Sequence, residues 1–407
     1  MERITIGLNR LGRSTLAATL AILLLSGTGG CKSGGEARPP KPAATFSEQQ
    51  LVSLRSTVQT AIQQAGIPGA IIGVWAPDRG TWVEAFGVAD AGAKTPLAVT
   101  HKVRIGSLTK MFTATAVLQL VDEGRIGLDD SIEKYVRKHK LNILNAKDIT
   151  IRQLLNHTSG LFSYTDDPAL EAVSYANLLL VWSPEELINF AVSHRDYAPP
   201  GKEYHYSNTG YALLGLILED ESKEKKSAAE EIDQRIIKRL GLANTSFPRD
   251  QTLQEPYAKG YIADADLFTL SMTLRGSKTP GAMTDVTALH PSWPWTAGAM
   301  VSDLNDLKVY AKALGTGQLV SKKMQEEQFK TVAIPTGGAA RYGLGVLTLA
   351  GFIGHRGEVP GYDTCILYSP ELDATFVVLL TMDPNRAGAD ALTLKLIQTV
   401  YPDKVKG

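Results

Sequence analysis

The sequence predicts an α/β protein of the α+β kind: an antiparallel sheet flanked by helices, with a mostly helical subdomain inserted between the two halves of the sheet. Three observations carry that prediction. Strand-like runs cluster near the two ends of the folded part, the stretch from about 131 to 299 reads as helices and loops, and a helical pattern opens and closes the domain. The chain has 407 residues, 44% hydrophobic and 21% charged, which is the composition of a globular body rather than of a disordered or fibrous chain. Lys plus Arg is 42 and Asp plus Glu is 42, so no net field favours a nucleic-acid partner. The two cysteines, Cys31 and Cys365, form neither a disulfide framework nor a thiolate zinc site.

Taken in order, Arg3, Arg10 and Arg13 precede the apolar run Leu16–Leu25 and the small residues 26–30, the three regions of a secretory leader spanning 1–30. Its apolar stretch is too short for a permanent membrane span. The small residues before Cys31 resemble a bacterial lipoprotein signal, which implies lipidation of Cys31 and membrane attachment. Thr28 stands where such signals usually carry Leu, so secretion without a lipid is the alternative. Either way the expected location is outside the cytoplasm, in the periplasm or cell envelope or secreted. Residues 31–46 are rich in Gly, Pro and charge and read as a disordered tether.

The folded domain is then 47–400, with 47–130 and 300–400 forming the sheet part. Ser47 with Gln50 makes a capping box, and Leu51, Leu54, Val58 and Ile62 recur at helical spacing. Residues 69–75 and 81–88 read as strands around the turn Pro77-Asp78-Arg79-Gly80. A helix follows Ser107, with Phe112, Ala116, Val117, Leu120 and Val121 on its buried side and Gly124 as its stop. Helices are expected at 184–194 and 211–220, and the run ESKEKK is a solvated end or loop. Residues 342–349, 352–355, 362–368 and 375–382 read as strands, and 389–400 as a closing helix. The cleft between sheet and insertion is the natural place for a site.

Ser-x-x-Lys occurs at Ser107, Ser131 and Ser222, and context separates the three. Only Ser107 follows an extended segment ending in Gly and opens an apolar helix. Lys110, three residues on, shares its face and can reach its hydroxyl. Burial would lower the lysine pKa and let it act as a base. Tyr-x-Asn occurs at Tyr175 and Tyr206; the second, in PGKEYHYSNTGYALLG, lies in a turn just before a helix, so that Tyr206 and Asn208 can point into one cleft. His355-Arg356-Gly357 follows a short apolar run, and Gly357 would let the strand backbone approach a ligand. Trp293, Pro294 and Trp295 are candidates for an aromatic cleft wall, with Trp295 taken as a substrate-binding residue. His157 to Gly160 reads as a structural turn.

In this order, the three elements resemble the serine β-lactamase and penicillin-binding protein superfamily, and within it the D-alanyl-D-alanine carboxypeptidases of the His-x-Gly type, class C β-lactamases and β-lactamase-fold esterases. LLNHTSGL at 154–161 and TAGAMVSDLNDL at 296–307 extend the likeness, which covers roughly 48–400. The resemblance implies a β-lactamase/transpeptidase-like fold and two-step acyl transfer without metal or organic cofactor. It implies Ser107 as nucleophile, Lys110 and Tyr206 sharing the acid and base work, Asn208 orienting Lys110, and His355 assisting from opposite. The backbone N–H groups of Ser107 and Glu358 would form the oxyanion hole.

The chain also departs from the pattern. His355-Arg356-Gly357 replaces the Lys-Thr-Gly of class C enzymes, which disfavours efficient β-lactam hydrolysis. The carboxypeptidases carry hydroxyl residues at the positions of Arg356 and Glu358, where a substrate carboxylate is held. A Glu there repels a carboxylate unless Arg356 or another cation offsets it, and strand alternation sets Arg356 and Gly357 on opposite faces. The expectation is an extracytoplasmic serine hydrolase acting on a small-molecule, peptide, amide or ester substrate, resembling a carboxypeptidase. The alternatives are an esterase, a weak β-lactamase, or a receptor that is acylated without turnover. There is no Gly-x-Ser-x-Gly elbow, His-Glu-x-x-His or P-loop to support another chemistry.

Overall fold

In the computed structural model, residues 44–263, 282–335, 338–382 and 388–405 are described; the leader at 1–30, Cys31 and the tether as far as 43 lie outside them. The order β3-β2-β1-β13-β12-β11-β10-β9-β8 defines a nine-stranded sheet whose neighbours all pair antiparallel. Its strands come from two distant stretches. β1 (Gly69–Ala76), β2 (Gly80–Asp90) and β3 (Thr95–Pro96) belong to the first. The second supplies β8 (Val332–Ala333), β9 (Arg341–Tyr342), β10 (Leu347–Leu349), β11 (Phe352–Val359), β12 (Tyr362–Ser369) and β13 (Ala374–Leu380). The two halves join where β1 pairs with β13, Ile72 opposite Val378. Two ribbons stand apart, β4 (Val103–Arg104) with β7 (Val301–Ser302), and β5 (Tyr261–Ala263) with β6 (Met283–Asp285).

Every residue of β1, β12 and β13 is buried, because both faces of the central sheet are covered. Strand alternation sorts the side chains. Ile72, Val74, Val378 and Leu380 pack under the opening helix α1 (Glu48–Ala65) and the closing helix Ala389–Val400, whereas Ile71, Val377 and Leu379 join the core of the helical layer. The capping box at Ser47 and Gln50 starts α1 as its spacing predicts.

Helix α2 (Thr109–Asp122) differs from expectation. It is buried from Thr109 to Leu120 on every side instead of showing one apolar face. It runs through the middle of the helical layer with α3 (Glu133–Lys138), α4 (Ile151–Leu155), α5 (Pro168–Ala176), α6 (Pro184–Ala191) and α7 (Asn208–Asp220). Its polar members therefore need internal partners: Thr113 donates to Thr296 O at 2.7 Å, and Gln119 to Leu319 O at 2.8 Å. The run 342–349 is likewise not one strand. Gly345, at φ +75°, breaks it, and β9 and β10 pair as a hairpin around that turn. β11 extends to Val359, so that His355, Arg356 and Gly357 lie inside a strand.

Candidate active site

Ser107 sits on a 3-10 turn, Gly106–Leu108, between β4 and α2. Ile105 N donates to Met300 O at 2.9 Å, fixing the entry to that turn against the chain before β7. Gly106 has φ +51°, and a Cβ there would lie 2.7 Å from the backbone N, C and O of Glu358. A Cβ on Gly357 would lie 2.0 Å from Ile105 O. These two glycines let β11 and the serine turn lie against each other, and Thr364 Oγ1 lies 3.0 Å from both Ile105 O and Gly357 O. Gly357 thus packs on the turn, with Ile105 O filling the space its missing side chain leaves.

Lys110, one helical turn on, is fully buried. Its Nζ lies 3.0 Å from Ser107 Oγ, 2.6 Å from Asn208 Oδ1 and 2.8 Å from Ala297 O. Burial holds the amine well below the ordinary lysine value. A neutral amine fits these neighbours: two N–H donate to the oxygens of Asn208 and Ala297, and the lone pair faces the serine hydroxyl.

Tyr206 and Asn208 flank the start of α7. Burial pushes the Tyr206 phenol well above its usual value, while a hydrogen bond with Ser107 pulls the other way. Lys110 Nζ lies 4.8 Å from the centroid of the Tyr206 ring. The Asn208 carboxamide is oriented from both ends, since Nδ2 donates to Thr165 Oγ1 at 2.7 Å and Oδ1 faces Lys110. Its backbone N donates to Ser163 Oγ at 3.1 Å.

His157 is more than a turn residue. Its φ is +61°, its Nδ1 accepts from Ser207 N at 3.1 Å, its carbonyl accepts from His205 N at 2.9 Å, and its ring lies 4.3 Å from that of Tyr206. It therefore fixes the loop that carries Tyr206 from two backbone contacts and one ring face. The sequence offered His157 only as part of a structural turn, and the hydroxyls of Ser163 and Thr165, in the stretch that begins with LLNHTSGL, did not stand out.

His355 lines the cavity, but both its ring nitrogens are engaged away from Ser107. Nδ1 donates to Arg356 O and Nε2 accepts from Tyr342 Oη at 2.7 Å. Burial, with Lys110 adding to it, lowers the imidazole to about 3 and keeps it neutral. Tyr342 belongs to none of the sequence motifs.

Arg356 and Glu358, two apart on β11, share its other face. Arg356 Nη2 donates to Glu358 Oε2 at 2.6 Å, and Nε to Asp363 Oδ1 at 3.3 Å. Burial works against the guanidinium charge, and Asp363 and Glu358 outweigh it, so the Arg356 pKa is raised. Trp295 is not on the cavity wall. Its ring covers Gly215 of α7, where a Cβ would come within 2.6 Å of it, and Trp293 and Pro294 line the cavity in its place.

Ser107, Tyr206, Asn208 and His355 line a cavity of about 430 Å³ together with Asp166, Glu171 and Glu358. A hydroxyl beside a buried neutral amine, a phenol and an oriented carboxamide can carry out nucleophilic acyl transfer. Among the described residues, no His, Cys, Asp and Glu cluster could hold a metal ion.

The comparisons agree with that chemistry. The Beta-lactamase family model matches residues 54–399. The chain is similar to Protein flp of Staphylococcus aureus (strain N315), at 28% identity over 342 residues, 83% of this chain and 64% of the relative's length. It thus spans less than two thirds of that curated relative. Among solved structures it resembles a D-stereospecific amidohydrolase from Streptomyces sp., with TM-score 0.72 and 30% identity, covering 85% of this chain and 98% of that one. It also resembles the D-amino acid amidase of Ochrobactrum anthropi SV3, with TM-score 0.73 and 25% identity, covering 86% and 98%.

Proposed function

The chain belongs to the β-lactamase family, and on that premise we propose that it is a serine hydrolase that cleaves small amides, with D-amino acid amides as its substrate class, through an acyl-Ser107 intermediate. The observation that carries this reading is the contact of Lys110 Nζ with Ser107 Oγ at 3.0 Å, inside a cavity that also holds Tyr206 and Asn208. The substrate class rests on the likeness to a D-stereospecific amidohydrolase and a D-amino acid amidase.

In the mechanism, neutral Lys110 takes the hydroxyl proton as Ser107 Oγ attacks the carbonyl carbon. The tetrahedral oxyanion forms beside the backbone N–H groups of Ser107 and Glu358, which the close packing of Gly106 on Glu358 brings together. Tyr206, kept protonated by burial, delivers a proton to the leaving amine and is reprotonated by Lys110, which holds the proton taken from Ser107 and lies beside the Tyr206 ring. Water then enters, the same groups run in reverse, and the acyl-serine ester is hydrolysed. Asn208 keeps Lys110 aimed at Ser107. His355 holds β11 to β9 through Tyr342 and acts by position rather than by proton transfer.

The basic and apolar run of residues 1–30 supports an extracytoplasmic location, with Cys31 as the candidate lipid attachment point; fractionation of cells expressing the full chain and its Cys31→Ala variant tests both. Hydrolysis of D-phenylalaninamide, beside its L enantiomer and with Ser107→Ala as control, tests the substrate class. D-selective turnover lost in the variant is expected; equal turnover of both enantiomers would make the protein an amidase without D-selectivity, and turnover of a simple ester alone would make it an esterase of the same fold.

A further inference from the structure

One wall of the cavity carries an ion-pair chain that the acyl-transfer step does not use. Asp363 has a fully buried side chain; its Oδ2 accepts from Ala389 N at 2.8 Å at the start of the closing helix, and its Oδ1 takes the Arg356 Nε. Arg356 in turn reaches forward to Glu358 Oε2 at 2.6 Å, and both line the cavity that contains Ser107. The Glu358 backbone packs against Gly106 of the serine turn, where a Cβ would lie 2.7 Å from it. Asp166 and Glu171 line the same cavity, and burial, with the charges of Glu358 and Asp166 adding to it, raises the Glu171 pKa. Among the described residues that line the cavity Arg356 is the cation, and it is taken by two carboxylates of the protein itself.

We infer that Glu358 is a specificity-determining residue: by occupying the Arg356 guanidinium it fills the place of a substrate carboxylate, so that the cavity takes acyl donors whose leaving group carries no free carboxylate. The inference rests on the serine-hydrolase reading above and narrows its substrates. A primary amide, an ester or an amine leaving group meets no opposing charge. A peptide ending in a free carboxylate brings a fourth anion toward Asp166, Glu171 and Glu358, while among the described residues lining the cavity the cation, Arg356, is already paired, and like charges brought together in a partly desolvated site oppose binding.

The test uses N-acetyl-D-alanyl-D-alanine and N-acetyl-D-alanyl-D-alaninamide, which differ only in the terminal carboxylate. Their binding is measured calorimetrically on Ser107→Ala, on Ser107→Ala/Glu358→Gln and on Ser107→Ala/Glu171→Gln, and their hydrolysis on the corresponding chains that keep Ser107. Glu358→Gln is expected to tighten the carboxylate ligand by about tenfold and to leave the amide within about twofold, because it frees Arg356. Glu171→Gln removes a charge from the same cavity without freeing a cation and is expected to give a clearly smaller gain. An unchanged carboxylate-to-amide ratio in Glu358→Gln, or an equal gain in Glu171→Gln, would overturn the inference. A ratio that shifts in binding while neither ligand is hydrolysed by the Ser107 chains would uphold it and make the hydrolase reading the one that failed.

Discussion

Tyr342 and His355 share a buried hydrogen bond of 2.7 Å, Oη to Nε2, which ties the hairpin strand β9 to the strand that borders the nucleophile. His355 Nδ1 faces a carbonyl and carries the proton, and because burial keeps the ring neutral its Nε2 accepts. Its pKa, lowered by burial to about 3, lies below that of the unfolded chain, so between about pH 6.5 and 3 the unfolded state binds the extra proton. The contribution of His355 is therefore complete above that window and is lost as pH falls through it. The free-energy advantage of the wild type over His355→Gln in urea unfolding is expected to shrink by about 1.4 kcal/mol per pH unit between pH 6 and 4. A difference independent of pH would show that the ring is not held neutral.

Lys110 predicts a pH profile for catalysis. Its burial favours the free amine, so kcat/KM should rise with pH along a limb whose midpoint lies well below the ordinary lysine value, as the amine loses its proton. Lys110→Ala should lose about 10²–10⁴-fold in kcat, the usual share of a general base. A limb near the ordinary lysine pKa, or a variant that keeps its rate, would assign the base to another group.

Gly357→Ala should damage the site without touching the substrate. The added methyl would start 2.0 Å from Ile105 O and 2.4 Å from Thr364 Oγ1, forcing β11 and the Ser107 turn apart. We expect a loss of about 1–3 kcal/mol in stability, and about 100-fold in kcat from misplacement of the nucleophile relative to the Glu358 N–H. Thermal unfolding and steady-state kinetics on the same preparation read the two effects.

Thr165→Val tests the orientation of Asn208. Without the Thr165 hydroxyl, Asn208 Nδ2 loses its 2.7 Å acceptor, and the carboxamide is free to turn its nitrogen toward Lys110. A drop of about tenfold in kcat with an unchanged melting temperature is expected, the size of one lost hydrogen bond. An equal loss in KM alone would place Thr165 in substrate binding instead.

Most of the framework was legible because local signals state it. The capping box at Ser47, the turn at Pro77–Gly80 and the strand-like runs of β12 and β13 depend on neighbours in sequence, and the structure follows them. The contact of Ser107 with Lys110 was legible for the same reason, being one helical turn. What escaped depends on distant chain segments meeting. Tyr342 matters only because β9 and β11 are joined through β10, and Thr165 only because its loop folds over the start of α7. The burial of α2 on every side cannot be read from its own spacing, since the helices around it come from remote stretches. Trp295 illustrates the same limit: three adjacent residues offered an aromatic wall, and the short helix beginning at Trp295 turned that ring onto Gly215 while Trp293 and Pro294 faced the cavity.

The central claim is that Ser107 is the residue that becomes acylated. The direct measurement is the intact mass of the acid-quenched protein milliseconds to seconds after mixing with the p-nitrophenyl ester of N-acetyl-D-phenylalanine, followed by peptide mapping. The account predicts a transient adduct of one acyl group on the peptide containing Ser107, released with time and absent from Ser107→Ala. An adduct on another residue, or turnover by Ser107→Ala at the wild-type rate, would contradict it.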